Sequence, residues 1–293
     1  MKKYTIIYIV GIFVLTAAII AVALGLRFRG GFSGCSIGKL GSVSSEMVSQ
    51  TVSVDAFTEI EIDADAIDFE VKRGSDYYVE YNVPAYMLAK AETHNGKLDI
   101  EMKSSVTPSI TFAGKNFTKD SFKFTVFIPD GASLEELSAK IDAGKITLND
   151  ISVEKIGVDT DAADIQMSGV QNAELKVKAD AGNVEIKNST LGSVNVEADA
   201  ANIRLDSFTA GKIDASSDAG NIEFTGATFE EGNFESSMGN ISIEGSFDKV
   251  TADCSLGAIS IDPANPDARI NASVDLGSIE ISGKNVKGTS YNQ

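Results

Sequence analysis

Aspartate recurs at a fixed interval in the second half of the chain. Carboxylate oxygens are preferred ligands of calcium, and a stacked row of them repels itself unless a cation neutralises it. A carboxylate can instead cap its own turn by accepting a backbone N–H. Ser237 and Ser255 take the same place in two later repeats, and serine caps turns but binds calcium poorly. The pattern favours turn capping, with a calcium ladder as the alternative, for Asp142, Asp161, Asp180, Asp199 and Asp218.

Two further columns of residues follow each aspartate. A glycine comes two residues on in most repeats, and Ala163 and Ala201 replace it in two of them. The corner therefore requires a small residue, and the alanines predict a negative φ there. Stacked asparagines in the next column can hydrogen-bond along the stack. The predicted turn column is Gly144, Gly182, Gly220, Gly239, Gly257 and Gly277, and the predicted asparagine ladder is Asn183, Asn202, Asn221 and Asn240.

The interval between repeats indicates the fold that must position these columns. The seven-residue unit starts eight times between Asp142 and Asp275, at spacings of 19, 19, 19, 19, 19, 18 and 20 residues. Apolar residues alternate within each unit, as at Val177 and Ala179, which is typical of strands. The unit is too short for a propeller blade and lacks a helical pattern. The sequence thus predicts an all-β, single-stranded β-solenoid of about 19 residues per turn, with equivalent residues stacked about 4.8 Å apart.

Two details extend this interpretation. The segment "DADAIDF", residues 63–69, resembles the repeat and indicates that its register begins upstream. Cys254 falls in the inward column that precedes each aspartate, so it is expected in the core. With Cys35 as the other cysteine, the chain offers no disulfide framework.

The strand "FKFTVFIPDGASLEELSAK", residues 122–140, and the iterated "DAGNIEI"-like units after a short amino-terminal anchor resemble the bacterial DUF4097 family of candidate adhesins. The resemblance covers roughly residues 50–290. It implies a right-handed β-helix on the extracytoplasmic side of a bacterial membrane. It brings no catalytic residues with it.

The amino terminus contains an uncharged apolar run at residues 4–26. At about 1.5 Å per residue this run can cross a hydrocarbon core of roughly 30 Å. A signal peptide normally has a shorter apolar region that ends at a cleavage site, whereas Arg27 and Arg29 follow here. We therefore expect a cytoplasmic head and transmembrane helix in residues 1–29, and a single-pass protein of the cell membrane whose bulk is extracytoplasmic.

Composition divides the remaining chain into four parts. The Gly- and Ser-rich residues 30–50 predict a flexible stalk. Residues 51–130 predict a β region that caps the solenoid, residues 131–283 the regular repeat, and residues 284–293 a polar tail. The cap concentrates tyrosines that form either a contact patch for glycan or protein or a hydrophobic end cover, the latter being favoured: Tyr77, Tyr78, Tyr81 and Tyr86.

Net charge and residue types narrow the functional classes. A formal charge of −17 repels nucleic acid. His94 is the single histidine, and no Ser/His/Asp, Cys/His or metal-ligand group has usable spacing, so we expect no enzyme and no cofactor beyond the calcium alternative. The sequence predicts a membrane-anchored scaffold or adhesin that binds an envelope protein or glycan. The alternatives are an envelope-stress or signalling accessory protein and end-to-end self-association.

Overall fold

The computed structural model describes residues 47–85, 87–104 and 122–293. The predicted transmembrane segment 1–29, Cys35 and Tyr86 lie outside these residues, as does the predicted stalk up to residue 46. Across the three described ranges, no helix has the length and apolarity needed to cross a bilayer. The first described strand begins at Met47, so residues 47–50, predicted as stalk, belong to a strand instead.

The described residues are almost entirely strand. In chain order the strands are β1 (Met47–Ser53), β2 (Glu59–Gly74), β3 (Tyr78–Pro84), β4 (Met87–His94), β5 (Lys97–Ser104), β6 (Lys123–Pro129), β7 (Ser133–Asn149), β8 (Ser152–Ser168), β9 (Gln171–Lys187), β10 (Thr190–Asp206), β11 (Lys212–Ala219), β12 (Ile222–Met238), β13 (Ile241–Pro263), β14 (Arg269–Ile281), β15 (Lys284–Asn285) and β16 (Ser290–Asn292).

Parallel pairing from β7 onward follows the repeat of the sequence. Val177 of β9 pairs with Val196 of β10, 19 residues on. Val184, Ile203 and Ile222 lie side by side in successive turns and are fully buried. The predicted β-solenoid is thereby confirmed, with about 8 turns of about 19 residues. Cys254 is buried as expected, and this burial raises the pKa of its thiol.

A second corner, opposite in the repeat to the predicted one, joins consecutive turns. Asp150, Asn188 and Ser207 adopt φ of 52°, 49° and 54° there, and Gly169 and Gly226 adopt 68° and 61°. Asn, Asp and Gly tolerate this left-handed conformation better than other residues do. These residue types are visible in the sequence. The predicted repeat unit is centred on the other corner, so this second corner was not predicted.

The irregular spacings have local causes. The 18-residue step arises at the second corner, where Thr225 and Gly226 of β12 stand against the single residue Glu244 of β13. The 20-residue step arises from a short loop after β13, where Asn265 Oδ1 accepts the backbone N–H of Asp267 at 3.0 Å. Register is restored on both sides, so the buried columns continue.

The amino-terminal turns do not follow chain order, contrary to the simple winding that the repeat predicts. Strand β2 lies between β5 and β6 on one edge and β7 on the other. Val71 of β2, for example, pairs with both Val126 and Leu148. The chain therefore crosses from β6 to β7 over the turn that β2 already occupies. The alternation of β2 fits any turn, so it does not indicate which neighbours the strand pairs with.

Arg73 stabilises this crossing. Its guanidinium donates to the carbonyl oxygens of Pro129 and Ala132 at 2.9 and 2.7 Å, on either side of the turn between β6 and β7. It also donates to the carbonyl of Asp150 at 2.9 Å. One side chain thus ties three consecutive layers of the solenoid together through charge-assisted hydrogen bonds.

Antiparallel strands cover both ends. Strand β3 pairs with β6, β1 with β3, and β4 with β5, all antiparallel. Residues 284–293 were predicted as a polar tail, but β15 and β16 pair antiparallel with β14. Such pairing covers much of the edge that a last turn would otherwise expose. The upstream register is also present, although Ala66 pairs with Ala143, so the matching unit begins at Asp65 and not at Asp63.

Candidate binding surface

The asparagine ladder is a continuous hydrogen-bonded stack along one corner. Asn183 donates from both its backbone N and its Nδ2 to Asp164 Oδ1, each at 3.0 Å. Asn202 Nδ2 donates to Asn183 Oδ1 at 3.1 Å. The backbone N–H groups of Asn221, Asn240 and Ala258 donate to the preceding asparagine oxygens at 3.1, 2.9 and 2.9 Å. Asp164, Asn202, Asn221 and Asn240 therefore hold the backbone of the next turn, and Asn183 holds the side chain of Asn202.

This arrangement engages every oxygen of the ladder and leaves N–H groups of the side chains unused. The oxygens of Asn183, Asn202, Asn221 and Asn240 all accept bonds within the stack. A carboxamide nitrogen carries two N–H groups, and at most one of them is used by any described residue. The exposed ladder thus presents a row of N–H donors, spaced by about 4.8 Å.

A second outward row runs beside the ladder and is called here the outer row. It consists of Gln166, Glu185, Arg204 and Glu223, which pair in register from β8 to β12. Arg204 Nη1 lies 3.5 Å from Glu223 Oε2, and Glu185 Oε1 lies 2.6 Å from Lys187 Nζ.

Between the two rows lies a shallow concavity of about 450 Å³, called here the ladder groove. Its floor is the fully buried column of Ile165, Val184 and Ile203. Asp164 closes one end beside Asn183. The groove therefore has amide donors on one side and a row of mixed charge on the other.

The aspartate column points outward but does not cap turns, so that prediction is wrong. Among the described residues, no group donates to the carboxylates of Asp142, Asp161, Asp180 or Asp199, and Asp218 accepts only the hydroxyl of Ser237 at 3.3 Å. The physical reason is that the corner remains in the β-ladder. Its backbone N–H groups are bonded to the adjacent turn, in part through the asparagine side chains.

The aspartates stand close enough together to affect one another. Partial desolvation raises the pKa of Asp142, and the charges of Asp161 and Asp65 raise it further, against an opposing effect of Lys140. Within the described ranges, no three His, Cys, Asp or Glu side chains are grouped to hold a metal ion. The calcium ladder stays a prediction.

Opposite charges in the adjacent column reduce this repulsion. Asp159 pairs with Lys140 on one side and Lys178 on the other. Glu197 then follows, with Lys178 Nζ 3.5 Å from its Oε2. The charges alternate in sign along this column, and its lysines lie beside the aspartates. The sequence analysis did not predict this source of neutralisation.

The glycine column is a place of close backbone approach. A Cβ on Gly182 would lie 2.3 Å from the carbonyl oxygen of Ala163. Gly144, Gly182, Gly257 and Gly277 adopt φ of 128°, 118°, 154° and 159°, so the expected negative φ is wrong at these four positions. Ala163 and Ala201 keep a negative φ in the same column. At the glycine positions, therefore, the close approach of the adjacent turn leaves no room for a Cβ, whereas no single corner conformation is shared by the whole column.

The described tyrosines mostly pack on neighbouring rings. Tyr77 contacts Phe57 edge-on with ring centroids 4.9 Å apart, Tyr78 stacks on Phe127 at 4.1 Å, and Tyr81 stacks on Phe124 at 5.6 Å. Each of the three is half-buried. They lie where the antiparallel strands cover the first turns, which is the place expected of an end cover.

Tyr81 also borders a second concavity of about 360 Å³, which Lys72, Lys123 and Thr125 line as well. The hydroxyl of Tyr81 donates to Gln50 Oε1 at 2.5 Å. Both lysines pair with Glu70, at 3.4 and 3.1 Å. The two amines thus share a single carboxylate, and this surface has no repeated column of hydrogen-bonding groups comparable to the asparagine ladder.

Sequence reasoning found the ladder but not the groove. It missed Asp164 as the acceptor that begins the stack and assigned no role to Arg204. The signal was present, because Gln166, Glu185, Arg204 and Glu223 occur every 19 residues. Their types differ, so a search for repeated letters passes over them.

Stacked turns with long polar columns define a β-solenoid scaffold. The model of the Toastrack DUF4097 family matches residues 57–290. The chain therefore belongs to this family, as the resemblance in the sequence indicated. Among curated proteins, none matches the chain.

Several solved structures are similar to the chain. A candidate adhesin from Bacteroides fragilis is 19% identical, with a TM-score of 0.46, over 82% of this chain and 95% of that one. A candidate adhesin from Parabacteroides distasonis is 16% identical, with a TM-score of 0.46, over 82% and 98%. A candidate lipid-binding protein from the same species is 16% identical, with a TM-score of 0.37, over 81% and 95%.

Proposed function

We propose that the protein is a non-enzymatic scaffold of the bacterial cell envelope, anchored through residues 1–29, which holds its right-handed β-helix outside the cytoplasm and binds a surface partner. The solenoid serves as a rigid support, and the ladder groove is its contact surface. The apolar run at residues 4–26 supports the anchor. Membership of the DUF4097 family supports the scaffold.

One observation carries the proposal. The hydrogen-bonding groups on the ladder side of the groove are fixed by the stack itself, since each asparagine side chain binds the next turn. A surface of this kind loses little conformational freedom when a partner binds. Repeated groups at a constant spacing also favour partners that are themselves repetitive, and multivalent contact raises avidity without strong single contacts.

The location is tested by labelling. Thr209 is exposed in an outward position, and Cys254 is buried. A Thr209→Cys variant of the full chain that also carries Cys35→Ser therefore offers one accessible thiol among the described residues in a bacterial host. A membrane-impermeant maleimide should label it on intact spheroplasts. Labelling that requires lysis would contradict the extracytoplasmic location.

Binding is tested by affinity capture of the full chain from detergent-solubilised envelopes. We expect envelope glycan or protein to be retained by the full chain and not by a control chain that ends at residue 46. Equal retention by the control would mean that the anchor recruits the partner, which is the signalling alternative. No retention by the full chain would contradict the proposed function.

A further inference from the structure

We infer that the ladder groove binds a linear, uncharged glycan laid along the solenoid axis. The inference rests on the proposed function and names the ligand class of its contact surface. It follows from the hydrogen-bonding groups in the groove, from its direction and from its charge.

The two sides of the groove require a ligand that both donates and accepts. The asparagine ladder offers mainly N–H donors, because each of its oxygens already accepts a hydrogen bond within the stack. Across the floor, Glu185 and Glu223 accept and Arg204 donates. A hydroxyl group donates one hydrogen bond and accepts two. A chain of sugar hydroxyls therefore satisfies both sides, whereas a ligand with acceptors alone satisfies only the ladder and Arg204.

The groove also sets the direction of the ligand. Its lining extends from Asp164 in β8 to Glu223 in β12, across four consecutive turns. At about 4.8 Å per turn, equivalent groups recur over roughly 14 Å. A linear ligand can meet the same donor again at each step only if it runs along the stack.

Charge and packing exclude two other ligand classes. The lining carries three carboxylates, of Asp164, Glu185 and Glu223, and one guanidinium, of Arg204. Lys187 pairs with Glu185 beside the groove, so the groove keeps a net negative charge and disfavours a polyanionic glycan. Its apolar lining is the buried floor, and none of the described lining residues is aromatic. Protein partners usually require a desolvated aromatic or arginine anchor in a pocket. An extended peptide would find no such pocket in this shallow floor.

The structure provides a matched pair of variants. Arg204 and Glu223 form an ion pair across adjacent turns in the groove, at 3.5 Å with exposed fractions of 51% and 45%. Lys178 and Glu197 form the same kind of pair in another column, at 3.5 Å with 52% and 51%. Replacing both members by alanine in each case removes equal charge from equally exposed positions. The asparagines are left unchanged because they also hold the fold.

The experiment measures binding by calorimetry to the full chain in nanodiscs. The probes are neutral hexasaccharides of β-1,4-linked glucose and of β-1,4-linked N-acetylglucosamine, a polygalacturonate hexamer and an extended basic peptide. We expect a neutral hexasaccharide to bind, at least tenfold more weakly to the Arg204→Ala/Glu223→Ala protein, and unchanged to the Lys178→Ala/Glu197→Ala protein. Both variants should melt within a few degrees of the parent chain.

Three outcomes would overturn the inference. They are equal loss in both variants, a preference for polygalacturonate or the peptide, and the absence of binding to either neutral probe at millimolar concentration. The envelope capture described above separates this failure from failure of the proposed function. If the full chain still retains envelope components and the Arg204→Ala/Glu223→Ala protein retains them equally, the scaffold function stands and the ladder groove is not its contact surface.

Discussion

The corner that carries the asparagine ladder repeats one residue type, whereas the turn formed by β12, called here the aromatic turn because it contains Phe229 and Phe234, does not. At the corner, four consecutive turns carry the same residue, asparagine, at the same place. At β12, the buried column that holds Ile213 and Val250 contains Gly232, and the next inward column contains Phe234. In the two flanking turns these columns contain Ile213 and Ala215 on one side, and Val250 and Ala252 on the other. Hydrogen bonds need a given atom at a given place, whereas a core needs only its volume filled.

The aromatic turn gives the largest expected effects. A Cβ on Gly232 would lie 2.5 Å from Phe234 Cε2 and 2.8 Å from Phe229 Cε2. We expect Gly232→Val to lower the free energy of unfolding by about 1–3 kcal/mol through overpacking. We expect Phe234→Ala to lower it by about 3–5 kcal/mol through the cavity it leaves. Denaturant unfolding of the full chain in detergent measures both.

The double variant sharpens the comparison, because it rebuilds the Val and Ala pattern of the next turn. Its loss should be smaller than the sum of the single losses by about 0.5–3 kcal/mol, the range of coupling between residues in contact. Gly232→Val combined with Ile165→Val, several turns away, should be additive. Additivity in both pairs would mean that volume is not exchanged between the two columns.

These two regions also show what the sequence could predict. Val184, Ile203 and Ile222 lie in one column, which follows from the alternation and the 19-residue spacing because together they leave a single register. The exchange between Gly232 and Phe234 was not predicted, since it depends on contact between columns. The order of β6, β2 and β7 was not predicted either, because the pattern of a strand specifies its buried face and not its neighbours.

The candidate site was predicted in part for the same reason. The ladder repeats one letter and was found. Asp164 accepts the hydrogen bonds from Asn183 in the place where later turns have an asparagine oxygen. Because its residue type differs, this role is visible only in the stacked turns. The aspartates repeat a letter as well, yet their predicted role in turn capping failed because the corner is bonded between turns rather than within one.

The ladder itself gives the second largest effect. Asn202→Ala removes the acceptor of the Asn221 backbone N–H and the donor to Asn183 Oδ1. We expect the free energy of unfolding to fall by about 1–2 kcal/mol, the sum of two ordinary hydrogen bonds in which water partly replaces the lost partner. Gln166→Ala, in the adjacent outer row, should change it by less than about 0.5 kcal/mol. Equal losses would show that the ladder contributes nothing specific.

A buried hydroxyl tests the rule that core columns need volume alone. Thr160 is buried, and its Oγ1 has no hydrogen-bond partner among the described residues. Thr160→Val keeps the shape and removes the unpaired group, so it should raise the free energy of unfolding by about 1 kcal/mol.

Ser217 occupies the same column and provides the control. It is buried too, but its hydroxyl donates to the carbonyl of Ala201 at 3.1 Å. Ser217→Ala should therefore destabilise the protein by about 1 kcal/mol. If both substitutions shift the melting temperature in the same direction, hydrogen bonding does not decide the residue type in this column.

The smallest effect concerns the aspartate column and depends on pH. The pKa of Asp142 is raised in the folded protein, by desolvation first and then by Asp161 and Asp65. The folded state therefore binds the proton of Asp142 more tightly than the unfolded state does. The resulting stabilisation of the folded protein is fully present below the ordinary aspartate pKa of about 3.9, and it is lost as the pH rises through the raised pKa. Asp142→Asn should stabilise the protein at pH 7 by at most about 1 kcal/mol, because the group is exposed. The gain should vanish near pH 3, and a gain that persists there would refute the electrostatic cause.

Adding calcium at pH 7 should leave the difference in stability between the parent chain and Asp142→Asn unchanged. Selective stabilisation of the parent chain by calcium would instead support the calcium ladder.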